Sequence, residues 1–309
     1  MAGSDPPRVD RSAEAAAPAA RGRRRSARGC RVTTGWPARL ELRYRRDGAR
    51  TVAHERHSGP LRVLRALYPE GPGVCHHVVV HPPGGVVGGD SLAIDAVLAP
   101  ATHAVVTMPG ATRLYRSDGR RARQSVRLVL ADAARIEWLP QETIAHPGVD
   151  AELSLRFELA AGAEMLGWDL LALGLPASRQ PFERGRLGTT IDWPGVWLES
   201  ARIDGGDRAL LDGALGFDGQ PVLATAWFAA GRALAATRRE RLLDAARACV
   251  ADDALAARAG VTQLGPGLVV LRLLAARVEP AFALLAAVRA AWRREAWGLK
   301  PQPPRVWST

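Results

Sequence analysis

The sequence is short of cysteine and of long apolar runs, and both shortages exclude classes of protein. Its 3 cysteines lie far apart in 309 residues with no C-x-x-C pair, which is the usage of a reducing cytosol rather than of a disulfide framework. No apolar run reaches the roughly 18 residues of a membrane helix, and the richest one, residues 267–274, contains Arg272. We therefore expect a cytoplasmic protein with no membrane span.

Lysine is nearly absent as well. Of the 42 Lys and Arg residues only Lys300 is a lysine, and the formal charge is +11. Arginine in place of lysine, together with abundant alanine, is typical of a GC-rich genome, so part of this charge follows from codon use. Basic residues are not interleaved with stacking aromatics, and we expect no nucleic-acid partner. An Arg-rich nucleic-acid-binding protein stays open as an alternative.

The first part of the chain differs in composition from the rest. Residues 1–34 carry eight arginines and almost no large apolar side chains. Such a segment cannot bury enough surface to offset the entropy lost on ordering, so we expect a disordered Arg/Ala-rich tail. We expect the remainder, residues 35–309, to form one β domain that includes C-terminal helices.

The central part of the chain has the pattern of many short strands. Apolar residues alternate with polar ones at residues 40–44, 92–96, 126–130 and 153–159. A period of two with one apolar face predicts half-buried strands. Turn pairs such as Asp47-Gly48 and Pro109-Gly110 separate them. The sequence therefore predicts a mainly β fold, meandering or solenoid-like, although no strict repeat period is visible.

Helices are predicted mostly in the C-terminal third. The residues Thr237-Arg238-Arg239-Glu240 have the pattern of a capping box, which predicts a helix over about 238–250. Pro280 favours the start of a second helix, over about 280–297, and Gly298 favours its end. Residues 268–274 have the pattern of a buried strand.

The most distinctive segment is glycine-rich, HPPGGVVGGD at residues 81–90. A phosphate-binding P-loop needs Gly-Lys-Ser/Thr opening a helix, whereas here Gly89-Asp90 precedes an alternating strand. The spacing of a dinucleotide loop is also absent. The glycines therefore indicate a turn in which the backbone adopts positive φ or approaches a neighbour closely.

Several side chains are candidate metal ligands. On a strand, Cys75, His77 and His81 would share one face, and thiolate and imidazole suit Ni, Zn or Cu. Positions 75 and 81 would lie roughly 20 Å apart along a strand, so one ion cannot bind all three. A metal-dependent hydrolase on a β scaffold, using Cys75 and His77, is a second alternative. Taken alone, the same residues fit packed or hydrogen-bonded side chains better than a metal site.

Carboxylates add further candidates. Asp90, Glu137 and Glu142 could pair, although the sequence does not give their separation. Glu142 lies among apolar residues, and burying its charge would be costly without a metal or an arginine partner.

Specific segments follow one another in a recognisable order. They are GVCH (73–76), HPPGGVVGGD (81–90), PGATRLYRS (109–117), EWLPQETI (137–144), GWD (167–169), WG (297–298) and PRVWST (304–309). Together they resemble the UreD (UreH) family of urease accessory proteins, from about residue 35 to the C-terminus. The chain departs from the family at Gln180, where members often have Glu.

The resemblance implies a scaffold rather than an enzyme. Such a protein takes part in nickel insertion into apo-urease and binds a UreF-type protein that docks a UreG-type GTPase, in a possible dimer of heterocomplexes. The implied fold is a flattened β-helical arrangement of stacked sheets with a few helices. A transient Ni²⁺ passes through an internal polar route, and no cofactor is tightly bound.

The resemblance also assigns roles to particular residues. The donors expected near the nickel route are Asp90, Glu142, Cys75, His77 and His81. The residues expected to contact partners, or to be structural, are Tyr115, Arg116 and Trp138. If the family's acid lines the route, Gln180 is a neutral substitute for it.

Overall fold

The computed structural model of the chain describes residues 35–308. The predicted tail, residues 1–34, lies outside the described residues, as does Thr309. The strands are β1 Pro37–Asp47, β2 Arg50–Ser58, β3 Arg62–Val63, β4 Val74–Val80, β5 Ser91–Leu98, β6 His103–Thr107, β7 Thr112–Leu114, β8 Ala122–Leu130, β9 Arg135–Leu139, β10 Thr143–Ala145, β11 Asp150–Leu159, β12 Glu164–Leu173, β13 Arg186–Trp193, β14 Trp197–Asp204, β15 Val222–Ala230, β16 Ala259–Gly265 and β17 Leu268–Ala275. The α-helices are α1 Arg208–Asp212, α2 Ala236–Ala251 and α3 Val278–Trp297.

The strands form two sheets. The seven-stranded sheet has the order β14-β13-β11-β8-β5-β1-β2, and the ten-stranded sheet follows β16-β17-β15-β12-β9-β6-β4-β3, with β10 and β7 beside β12. Pairing is parallel along β1-β5-β8-β11-β13 in the first sheet and along β4-β6-β9-β12 in the second. Antiparallel pairs complete the ends of both sheets.

The chain alternates between the sheets, as a β-solenoid does. It passes from β5 to β6, from β8 to β9 and from β11 to β12, placing one strand in each sheet per coil. Leu92 pairs with Gln124 and Gln124 with Leu153, so equivalent positions recur about 30 residues apart. The predicted mainly β, stacked-sheet architecture is confirmed. The repeat is hard to see because the turns between coils differ in length.

Alternation of side chains along the ten-stranded sheet produces three layers. In β12, Met165 and Leu171 face the seven-stranded sheet, whereas Trp168 and Leu170 face the helices. One core therefore lies between the sheets and a second lies under α2 and α3. This explains why the strands of the ten-stranded sheet are apolar on both faces.

The helix bounds show where local patterns succeed and fail. Helix α3 ends at Gly298, in the left-handed conformation with φ of 63°, as the sequence predicts. The capping box predicted at Thr237 is wrong: α2 begins at Ala236 after Ala235, and no side chain caps it. The segment just before α2 is fixed by a distant part of the chain, since the amide of Leu234 donates to the carbonyl of Pro266 at 2.9 Å. With this contact in place, α2 begins at Ala236, two residues before the start that the capping-box pattern predicts.

A buried network of charges joins α3 to the ten-stranded sheet. The carboxylate of Glu137, which has no exposed surface, accepts from Nε of Arg289 at 2.7 Å and lies 3.1 Å from Nε of Arg293. Arg293 also donates to Glu70 at 2.6 Å. The carbonyls of Gln302 and Lys300 accept from Arg289 and Arg293 at 2.9 Å, which holds the segment after α3. The buried carboxylate of the EWLPQETI segment is thus Glu137.

Candidate functional site between the sheets

The recognisable segments stack on one another at one corner of the solenoid. Val86 of the glycine-rich segment donates to the carbonyl of Arg113 at 2.7 Å, and the amide of Tyr115 donates back to Val86 at 2.9 Å. The next coil repeats the contact, because the amide of Thr112 donates to the carbonyl of Glu142 at 2.9 Å. The motifs of three coils therefore build one surface.

Gly85 shows why glycine is needed at this corner. A Cβ added there would overlap the ring of Tyr115, which lies edge-on to His146 with ring centroids 4.8 Å apart. Close approach of backbone to an aromatic ring requires the missing side chain. The prediction that a glycine of this segment allows the backbone to approach a neighbour closely is confirmed at Gly85.

Asp90 closes the glycine-rich turn. Its Oδ1 accepts from the amide of Trp36 at 2.8 Å, and its Oδ2 accepts from the amide of Val87 at 3.0 Å. Both oxygens of this buried carboxylate thus bind backbone amides. The side chain fixes the first strand to the turn, and each oxygen retains a lone pair that could face a cation.

A cavity of about 340 Å³ opens beside this turn. His81, Gly84 and Gly85 line one side, and the PGATR residues Pro109 to Arg113 line another. Burial lowers the pKa of His81, and the nearby Asp90 offsets part of this effect. His81 is therefore neutral at pH 7, which is the form that binds metal ions.

A second cavity adjoins the first and lies between the sheets. This second cavity, of about 80 Å³, shares Met108, Thr112 and Gln124 with the first. It crosses from these residues to Asp169, Glu199 and Thr225, which belong to strands further along the solenoid. Polar groups placed between two apolar faces need water or one another, and this volume holds a few water molecules. We call the two adjoining cavities the inter-sheet passage.

Two carboxylates line the far end of the inter-sheet passage. Asp169 projects from β12 of one sheet and Glu199 from β14 of the other. Burial raises the pKa of Asp169 to about 6, and the negative charge of Glu199 raises it in the same direction. Asp169 therefore takes up and releases a proton near neutral pH. Oxygen donors of this kind, with the hydroxyl of Thr225 beside them, can hold a divalent cation weakly.

Cys75 and His77 lie elsewhere in the core. Both are on β4, and neither lines the passage; the strand ends at Val80, so His81 is not on the same strand. Burial raises the pKa of the Cys75 thiol to about 11, which keeps it protonated. Burial lowers the pKa of His77 to about 4, and its Nδ1 lies 2.9 Å from the hydroxyl of Tyr44. Cys75 and His77, on which the hydrolase alternative depends, are thus both buried, and His77 is already hydrogen-bonded to Tyr44.

The other predicted residues are dispersed around the corner. Glu142 is half-buried beside the passage, and only its backbone carbonyl takes part in the corner contacts. Arg116 is exposed and Tyr115 is half-buried. Trp138 is 4% exposed and lines the passage, which fits the structural role that the sequence left open. Of the predicted donors, the structure brings only His81 to the wall of the passage, and the roles of the others stay predictions.

Sequence reasoning missed Asp169 and Glu199 as candidate donors. Both interrupt an apolar face: Asp169 lies between the inward-facing Gly167 and Leu171, and Glu199 lies between Trp197 and Ala201. A charged residue on the buried face of an alternating strand is a signal that the sequence contains. The neutral Gln180 is exposed in the loop after β12 and lies outside both cavity walls.

Two further findings concern residues 35–308. Within this range, no group of three or more His, Cys, Asp or Glu side chains is arranged to hold a metal ion. In the same described part, no helix is long and apolar enough to cross a membrane.

Comparison with known proteins agrees with the corner motifs. Residues 37–308 match the family model described as UreD urease accessory protein. The chain belongs to the UreD family. Curated members named urease accessory protein UreD include that of Leptothrix cholodnii, 58% identical over 89% of this chain and 99% of the relative. Those of Paracidovorax citrulli and Variovorax paradoxus are 53% and 52% identical, over 88% and 89% of this chain and 99% of each relative.

Membership in the UreD family confirms the resemblance seen in the sequence. It is consistent with a role in urease maturation, as an accessory factor rather than a catalytic enzyme.

Proposed function

We propose that this chain is a urease maturation scaffold that offers a passage for Ni²⁺ between its two sheets. The observation that carries the proposal is a pair of adjoining cavities with three lining residues in common. His81 lines the first at the corner, and Asp169 and Glu199 line the second at its far end. Nickel is the cargo here, and the chain carries out no turnover of its own.

The chemistry of the walls suits transit rather than storage. A neutral imidazole at one end and carboxylate and hydroxyl oxygens at the other are ligands that Ni²⁺ accepts. Two carboxylates leave most coordination positions to water, so the ion is held loosely and can move on. The shifted pKa of Asp169 lets the site exchange a proton for the ion near neutral pH.

The proposal includes partners. Apo-urease would receive the ion, and a UreF-type protein with a UreG-type GTPase would supply it, in a complex that can dimerise. The relatives' name, urease accessory protein, supports the first of these. The exposed Arg116 and the half-buried Tyr115 of the corner surface are the residues we propose for contact with a partner. The setting is the cytoplasm, where apo-urease is assembled.

Restoring urease activity tests the proposal. Cells carrying a urease operon with only this gene deleted are supplied with nickel, with and without the full chain. The proposal expects active urease only when the chain is restored, at equal amounts of urease subunits. Equal activity without the chain would contradict it.

A further inference from the structure

At the far end of the inter-sheet passage, the lining residue Glu199 forms an ion pair that joins the two sheets. Register places Arg272 of β17 directly opposite Thr225 of β15, on the face that lines the passage. From there Nη2 of Arg272 contacts Oε2 of Glu199 on β14, the edge strand of the facing sheet. The side chain of Arg272 is 51% exposed and that of Glu199 is 24% exposed. The pair thus links a carboxylate of the passage wall to an arginine that is largely exposed to solvent.

Most other ion pairs among residues 35–308 do not join the two sheets at the passage. Arg127 and Glu158, for example, lie on the outer face of one sheet and are 50% and 40% exposed. The Arg272–Glu199 pair joins the two sheets and occupies one of the two carboxylates that line the far end of the passage. A guanidinium at this point repels an arriving cation and withholds a ligand from it.

We propose that Arg272 gates the far end of the passage by competing with a divalent cation for Glu199. This inference rests on the proposed function, because it concerns regulation of the same passage. With the guanidinium in place, a cation meets one carboxylate and a positive charge. With the guanidinium displaced outward, Asp169 and Glu199 bind the cation together. Because the pair is partly exposed, its free energy is small and the displacement is reversible.

The test measures Ni²⁺ binding by the full chain through equilibrium dialysis at pH 7.5, with Ni²⁺ as the sole probe. Arg272→Gln removes the positive charge and keeps a polar side chain. We expect it to bind Ni²⁺ about tenfold more tightly than the unaltered chain, because Glu199 is freed. Adding Glu199→Gln to Arg272→Gln should abolish the gain.

A matched control uses another arginine in a local ion pair. Arg277→Gln removes the partner of Glu279 at the start of α3, where both side chains are exposed and neither lines the passage. It should leave Ni²⁺ affinity unchanged. Thermal unfolding confirms that each variant is folded; if Arg272→Gln is not, Arg272→Lys, with its more mobile charge, should give a smaller gain of about two- to threefold.

An unchanged or weaker Ni²⁺ affinity in folded Arg272→Gln would overturn the gate. A gain that persists when Glu199→Gln is added would overturn it too, since the freed carboxylate would not be responsible. If the unaltered chain restores urease activity while Arg272→Gln shows no gain, the gate alone fails. If the unaltered chain does not restore urease activity, the proposed function fails.

Discussion

Arg289 and Glu137 lie 152 residues apart in the sequence, yet Nε of the first donates to Oε2 of the second at 2.7 Å in a layer closed to solvent. Burial alone would raise the pKa of Glu137, but Arg289, His103 and Arg293 outweigh it and lower the pKa to about 2. The carboxylate is therefore ionised throughout the physiological range, and α3 is attached to the sheet by a compensated buried charge.

Removing this carboxylate should destabilise the fold strongly. Glu137→Gln leaves the buried Arg289 without its counter-charge and Arg293 with Glu70 alone, and we expect a loss of about 3–5 kcal/mol in the free energy of unfolding. Urea denaturation followed by circular dichroism measures it. The control is Glu142→Gln in the same motif, half-buried, which should change stability by no more than about 0.5 kcal/mol. Equal losses in the two variants would contradict the assignment of the buried charge to Glu137.

A single methyl group at the corner should also be costly. In Gly85→Ala the new Cβ meets the ring of Tyr115, and overpacking of this kind costs about 1–3 kcal/mol. Gly110→Ala, at a glycine of the same corner with open space around it, serves as the control and should be nearly neutral. Combining Gly85→Ala with Tyr115→Ala should recover part of the loss in thermal unfolding. Strict additivity of the two substitutions would show that they do not touch.

Asp169 should make stability depend on pH. Its pKa rises from 3.8 to about 6 because of burial and of Glu199, so the folded state binds this proton more tightly than the unfolded chain. Ionised Asp169 therefore opposes folding above pH 6, and this opposition fades as the pH falls towards 4. Asp169→Asn should be more stable than the unaltered chain at pH 7.5, with the difference vanishing near pH 4.

Urea denaturation at pH 7.5, 5 and 4 measures this difference. Asp192→Asn is the control, because Asp192 lies on the outer face of β13 and accepts from Arg156 at 2.8 Å. It should give no stabilisation at any of these pH values. If Asp169→Asn stabilised the protein equally at all three pH values, the carboxyl group of Asp169 would not titrate in this range, and the prediction would be wrong.

The strands were predictable from the sequence because their signal is local. Leu40, Leu42 and Tyr44 alternate with charged residues and are all buried in β1. The start of α2 was not predictable, because a contact of Leu234 with a distant loop overrides the pattern at Thr237. Local periodicity states which face is buried, and tertiary contacts decide where an element begins.

The passage was predictable only in part. His81 lies in a segment that the resemblance singles out, and it lines the passage. Glu199 and Arg272 are on strands of different sheets, and the solenoid alone brings them together. Nor does the sequence show which of Glu137 and Glu142 is buried, because that depends on the orientation of β9 towards α3.

The nickel content of urease tests the central claim most directly. Urease is purified from nickel-supplied cells that carry the unaltered chain, the Asp169→Asn/Glu199→Gln double variant, or Asp192→Asn as the control, and nickel per active site is measured by atomic absorption. Our account predicts full loading with the unaltered chain and the control, and at least about a tenfold loss with the double variant at equal amounts of folded chain. Full loading with the double variant would contradict transit of the ion between the two sheets.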